Sequence, residues 1–222
     1  MRDDERKFVD KLTKEYNESF ALGMNFSMGA EGGISNHNKD SGGLTYRGIA
    51  SRWNPNWSGW RIVNRVLAKY PEIAEGYDRR PVTMEDMNRE LEQVPELDHL
   101  VHDFYYNKYW KRTGAELMPY RLGVVLFDAS ILTGVRRSVK NLQKALKIDY
   151  EQGIVADGIF GSNTLRAMNE AINEDGSNSL TKSVLLEYVD TVYEKSRIGD
   201  NREFLAGWIS RTRNLKNYVF KN

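Results

Sequence analysis

The sequence predicts a mainly α-helical protein with one glycine-rich excursion, and three observations carry that prediction. Apolar residues recur at helical spacing through most of the 222 residues. Prolines and glycines fall between those runs, where helices stop and start. Only residues 34–48 break the pattern: they are polar, hold Gly42, Gly43 and Gly48, and read as a loop or a short, irregular β-hairpin.

Taken in order, Phe8, Leu12, Tyr16 and Phe20 stand every fourth residue and mark one helix face against a core. The pattern continues through Leu22, Met24, Phe26 and Met28 to Ala30, and Gly32 and Gly33 supply a stop. Glu31 is therefore expected at a helix C-terminus. Asn54-Pro55-Asn56 and Ser58-Gly59 mark turns before a helix near 60–70, which Pro71 ends. Thr83 is a good N-cap, with Asp86 near the positive end of the helix dipole. Pro95 opens a helix that includes Phe104, Tyr105, Tyr106, Tyr109 and Trp110. From Pro119 onward, helices are expected near 119–133, 136–147, 161–174, 178–196 and 201–219, with a loop over Asp149–Gly161. No repeat or low-complexity linker is evident. A soft boundary near 115–120 divides residues 1–118 from 119–222, the two packed as one continuous globule.

Composition narrows the function classes. A domain of this length buries roughly 70–75% of its unfolded surface and needs no disulfide or metal to stand. With no cysteine, thiolate metal sites and cysteine nucleophiles are excluded. The net charge of +1 argues against a nucleic-acid binder, and no run approaches a membrane span. The charge is uneven. Residues 72–98 hold nine acids against three arginines, whereas Trp208–Asn222 holds four basic residues and no acid. These read as solvated helix faces, or, for the basic tail, as an attraction to an anionic polymer. The charged start Met1-Arg2-Asp3-Asp4-Glu5-Arg6-Lys7 has no apolar leader pattern, so the protein is expected to be made in the cytoplasm and to reach its substrate after release or export. A monomer is expected.

The chemistry concentrates between Glu31 and Ile49. A carboxylate at a helix end is followed nine residues on by Asp40 in a glycine-rich loop, and then by Thr45. Breaking a glycosidic bond needs two such roles, one acid to protonate the leaving oxygen and one group to manage the water or the developing positive charge. A free glutamate, with a pKa of about 4.3, is not protonated at neutral pH. The negative end of a helix dipole and the apolar neighbours Phe26, Met28 and Ile34 would both favour the neutral form of Glu31. Asp40, among polar neighbours, stays ionised, and the two environments divide acid from base. Thr45 offers a hydroxyl to place a water. Singly, each residue also fits a plain helix end or turn.

These residues resemble a known family. Glu31-Gly-Gly, then Asp40-x-Gly-Gly-x-Thr45-x-x-Gly48-Ile49, is similar to the signature of glycoside hydrolase family 108, the N-acetylmuramidases of phages and prophages. Tyr109-Trp110 is similar to an aromatic pair after the central helix of that family. Leu126-Phe127-Asp128, Gly134, Leu142-Gln143 and Asp157-Gly158-x-Phe160-Gly161-x-x-Thr164-Leu165 resemble its C-terminal peptidoglycan-binding region. The resemblance implies a lysozyme-like helical fold with a catalytic region at 1–118 and a peptidoglycan-binding region at 119–222. It also implies cleavage of the glycan between N-acetylmuramic acid and N-acetylglucosamine, with Glu31 as the acid and Asp40 and Thr45 as its helpers. No cofactor is implied, and peptidoglycan is the expected partner. The chain departs from the family pattern at Ile34, at 36–39 and at Thr133.

Trp53 and Trp57 follow the motif, and their rings suit sugar stacking as well as a partial core. Tyr109 could border the groove, and His37 could touch substrate or be plain surface. His99 and His102 stand three apart beside Asp98 and Asp103, thin support for zinc; no metal is expected. Asp128, on an apolar helix, reads as a buried residue bonded to backbone or to an arginine. Two other activities fit the same residues: a lytic transglycosylase, which needs one glutamate and no water, and a non-catalytic wall-binding or secretion-associated protein.

Overall fold

In a computed structural model, the structure describes residues 1–28, 33–36, 42–74, 81–199 and 201–221. Helices α1 (Asp3–Glu15) and α2 (Glu18–Met28) occupy the N-terminal amphipathic run. The single continuous helix face expected there is interrupted at Tyr16, which leaves helical geometry (φ −125°, ψ −101°). Asn17 begins the second helix, its Oδ1 accepting the Phe20 backbone N–H at 2.8 Å. A short polar side chain thereby satisfies an amide that the first turn leaves without a carbonyl. The apolar spacing survives the break, because the Tyr16 and Phe20 rings still meet at 5.1 Å.

The glycine-rich excursion forms three two-residue strands, β1 (Ile34–Ser35), β2 (Thr45–Tyr46) and β3 (Ile49–Ala50), in one antiparallel sheet ordered β1-β2-β3. Helix α3 (Trp60–Leu67) follows. Pro71 opens the short α4 (Pro71–Ala74) instead of merely ending α3. Helix α5 runs Pro81–Glu92, so it starts two residues before Thr83. Proline at the first helical position has no N–H to leave unpaired, and that preference sets the start in place of the expected threonine cap. Helix α6 (Pro95–Tyr105) uses proline in the same way. A π-helical turn (Tyr106–Trp110) and α7 (Lys111–Thr113) come next.

Helices α8 (Tyr120–Thr133) and α9 (Val135–Asp149) lie close to the expected bounds. Helix α10 (Ser162–Ser196) is two arms joined at Gly176, whose φ of 80° and ψ of 157° break the helix where the sequence placed a gap. Helix α11 (Leu205–Lys221) closes the described chain. None of the described helices is long and apolar enough to cross a membrane.

The chain divides into two compact units, Met1–Gly29 with Asn107–Asn222, and Ala30–Tyr106. In the first, α8 is the central helix. Residues Leu122 to Ser130 are buried without interruption, which is the pattern of a helix covered on every side. Its Leu126 packs in one core with Leu142 of α9, Met168 and Tyr188 of α10, and Leu215 and Val219 of α11. Phe20, Trp110 and Phe127 form an edge-to-face triangle at 5.5–5.7 Å. Asp128 is the exception on this apolar helix. It is fully buried and held by Arg211, whose Nη2 lies 2.7 Å from Oδ1.

The Leu-Gln…Asp-Gly stretch has a clear structural job. Gln143 is buried, and its Nε2 donates to Asp157 Oδ1 (3.0 Å), Ile159 O (3.1 Å) and Thr164 Oγ1 (3.0 Å). Its Oε1 accepts the Gly158 N–H at 2.7 Å. Gly158 sits at φ 81°, and a Cβ there would lie 2.5 Å from Arg136 O. One glutamine on α9 thus fixes the loop that leads into α10.

Candidate active site

The unit Ala30–Tyr106 is built around the small sheet. Its register pairs Ile34 with Tyr46 and Tyr46 with Ile49, and pairs Ser35 with Thr45 and Thr45 with Ala50. Directly paired residues point the same way. Ile34, Tyr46 and Ile49 are therefore the inward face, all at most 3% exposed. Ser35, Thr45 and Ala50 form the other face and are half-buried.

Two fixed points hold the strands. The Ile34 backbone N–H donates to Asn88 Oδ1 on α5 at 2.7 Å. Gly33 permits that approach, since a Cβ there would fall 1.8 Å from the Asn88 amide. The second point is the turn between β2 and β3, where Arg47 (φ 43°) and Gly48 (φ 75°) both take positive φ. That is the two-residue hairpin geometry whose twist matches the strands. For an arginine it is strained, and two contacts offset the cost. Tyr105 Oη donates to Arg47 O at 2.8 Å, and the Arg47 guanidinium pairs with Asp98 at 2.8 Å.

Thr45 thus stands on a rigid hairpin. Its hydroxyl donates to Gly43 O at 3.1 Å, so its one proton is used within the loop and its oxygen lone pairs can still accept. A depression of about 410 Å³ lies between the chain leading into β2 and the start of α3, lined by Gly43, Leu44, Ser51 and Asn64 among others. Leu44, Pro55 and Trp60 give that depression an apolar wall, and Ser51 and Arg52 a polar one.

The tryptophans divide. Trp53 is 67% exposed and follows β3, its N–H bonded to Ala50 O at 3.2 Å. Trp57 is a packing residue: its ring stacks on Tyr46 at 6.3 Å and meets Trp60 edge-on at 5.1 Å. Its indole N–H donates to Leu100 O at 3.2 Å. Because Tyr46 belongs to the inward face, Trp57 is on the opposite side of the sheet from Thr45. Tyr109 belongs to the other compact unit, with Lys108 Nζ 5.9 Å from its ring centroid. Burial raises the Tyr109 phenol above its ordinary pKa, so it remains a neutral hydrogen-bonding group. Glu31, Asp40 and His37 lie outside the described residues.

His99 and His102 are engaged along α6. The His99 Nε2 lies 3.3 Å from Asp103, and His102 Nε2 lies 3.7 Å from Asp98. Among the described residues no three potential ligands gather into a metal site. Sequence reasoning did not single out Ser35, the cross-strand neighbour of Thr45 on its half-buried face. The alternation of buried Ile34 with polar Ser35 was the available signal. It also missed Asn88, which no local pattern marks.

Comparison with known proteins bears on this arrangement. Residues 24–134 match the family described as glycosyl hydrolase 108, and residues 137–213 match one described as a predicted peptidoglycan domain. The chain is similar in fold to SagA of Brucella abortus, with a TM-score of 0.58 and 22% identity over 91% of this chain and 94% of that one. No curated protein matches the chain. The hydrolase match spans the whole stretch from Glu31 to the Thr45 hairpin and α8, and the peptidoglycan match begins in α9. On that basis the chain belongs to the glycosyl hydrolase 108 family and is a mainly α, lysozyme-like glycoside hydrolase acting on peptidoglycan.

Proposed function

We propose that the enzyme hydrolyses the glycan strand between N-acetylmuramic acid and N-acetylglucosamine, with Glu31 protonating the bridging oxygen. As that bond breaks, positive charge develops on the sugar ring, and an ionised Asp40 would stabilise it or orient the water. Thr45 completes the step. With its proton given to Gly43 O, its oxygen can only accept, so a bound water would donate to it and keep a lone pair free to attack. Exposed Trp53 offers a face for a sugar ring, and Tyr109 and His37 are the remaining candidates for substrate contact.

The observation that carries this reading is Thr45 on the half-buried face of a braced hairpin within the hydrolase-matched region. A water-directing hydroxyl favours hydrolysis over the water-free transglycosylase reaction. Digestion of defined disaccharide-peptide oligomers with mass-resolved products tests it. Hydrolysis yields reducing N-acetylmuramic ends. Anhydro-muramic ends, lighter by one water, would favour the transglycosylase. Binding of sacculi with no soluble product would favour the non-catalytic alternative.

A further inference from the structure

Ser35 and Thr45 are direct partners across β1 and β2 and share one half-buried face of the small sheet. The Arg47 backbone N–H donates to Gly33 O at 3.1 Å, so Gly33 and Arg47 form a hydrogen-bonded pair. Such pairs alternate along an antiparallel ladder, and Ser35 with Thr45 is the next one, its Cα atoms about 5.5 Å apart. On the other side of Thr45, β3 contributes only the methyl group of Ala50.

The chain is pinned on both sides of Ser35. The Ile34 backbone N–H donates to Asn88 Oδ1 at 2.7 Å, and Asn36 Nδ2 donates to Ile73 O at 2.8 Å. Between these anchors the Ser35 hydroxyl has no hydrogen-bond partner among the described residues. Thr45 differs, because its proton is given to Gly43 O and its oxygen can only accept. The pair thus presents one O–H to donate and one oxygen to accept, at a separation set by the strand ladder. Two O–H···O bonds of about 2.8 Å that meet at a tetrahedral water reach across roughly 4.5 Å. One water fits between the two hydroxyls.

We propose that Ser35 is a further catalytic residue, whose hydroxyl donates to the attacking water while Thr45 accepts from it. This rests on the water-placing role of Thr45. A water held in this way has one lone pair and one hydrogen committed. Its second lone pair bonds to the anomeric carbon as the glycosidic bond breaks, and the leaving oxygen takes the proton of the acid. The second hydrogen of the water departs as a proton to a carboxylate, the role open to Asp40. A single hydroxyl would let the water turn about one bond. Two hydroxyls fix its direction, and holding a reactant in the attacking geometry is a large part of what an enzyme contributes to rate.

The test compares wild type, S35A, T45A and the double variant S35A/T45A on soluble peptidoglycan oligomers, with melting temperature, kcat and KM measured for each. S35A is expected to fold, to keep KM within about twofold and to lose about five- to tenfold in kcat, the effect of one hydrogen bond to the reacting group. Because both hydroxyls hold one water, the double variant is expected to be about as slow as T45A alone, and not slower by the product of the two losses. If S35A does not fold, Ser35→Cys, whose thiol is a weak donor, decides by the same criteria. Wild-type kcat for S35A beside an impaired T45A, a loss confined to KM, or fully additive losses overturns the inference and leaves Thr45 in its role. Wild-type kcat for T45A removes the water-placing role of Thr45 and this inference with it.

Discussion

Replacing Gly48 by alanine is expected to loosen the hairpin that carries Thr45, and the cost can be worked from the structure. Gly48 holds φ 75°, a conformation that costs an ordinary residue about 1–2 kcal/mol. The added Cβ would lie 2.6 Å from Tyr105 Oη, so the phenol must move and its 2.8 Å bond to Arg47 O is lost. That bond contributes about 1 kcal/mol. The sum is about 2–3 kcal/mol, or a fall in melting temperature of roughly 5–10 °C for a chain of this length. Urea and thermal unfolding measure it, with Tyr105→Phe as the partner variant. Tyr105→Phe alone should cost about 1 kcal/mol. Gly48→Ala in that background should then cost only the backbone strain, so the two effects are less than additive. A Gly48→Ala protein as stable as wild type, or strict additivity with Tyr105→Phe, would refute the coupling between this turn and α6.

Other predictions follow from the same geometry. Trp57→Ala should destabilise by about 3 kcal/mol, because the ring is packed on Tyr46, Trp60 and Phe104; Trp53→Ala should leave unfolding unchanged and weaken substrate binding, and reversed outcomes would contradict the division made between them. Asp128→Ala should cost about 3–5 kcal/mol by leaving Arg211 without its carboxylate partner, measured by denaturant unfolding. Asp157 is held below its ordinary pKa, first by the Ile159 backbone N–H and then by Gln143. Its folded value is thus lower than its unfolded value. Its contribution is present above about pH 4, the unfolded value, and is lost as pH falls through the folded one. A melting series against pH should show Asp157→Asn with a shallower acid limb than wild type.

Much of the helical layout was legible because local signals agreed with the packing. Pro95 opens the helix it marks, and the gaps expected after 133 and after 174 hold the breaks at Gly134 and Gly176. The departures have local causes as well. At Tyr16–Asn17 the apolar spacing crosses a capped break unchanged, so periodicity could not reveal it, whereas the Asn17 cap could. At α5 a proline outranked a threonine as the first-turn residue. The surroundings of the motif were less legible. The motif singles out Thr45, but the face it shares with Ser35 depends on strand register, which two-residue strands do not display in sequence. Trp57 has the composition of a sugar-stacking residue; only the position of Tyr46 shows that its ring is used within the fold. The contact of Arg211 with the Ser27 carbonyl of α2 was invisible, because 184 residues separate the two and no spacing rule spans that distance.

Lysis of purified sacculi by Glu31→Gln beside wild type tests the account most directly. The substitution keeps the shape of the side chain and removes its transferable proton. The account predicts a folded variant whose release of soluble glycan fragments falls by about a hundredfold or more. Lysis at the wild-type rate by that variant would contradict it.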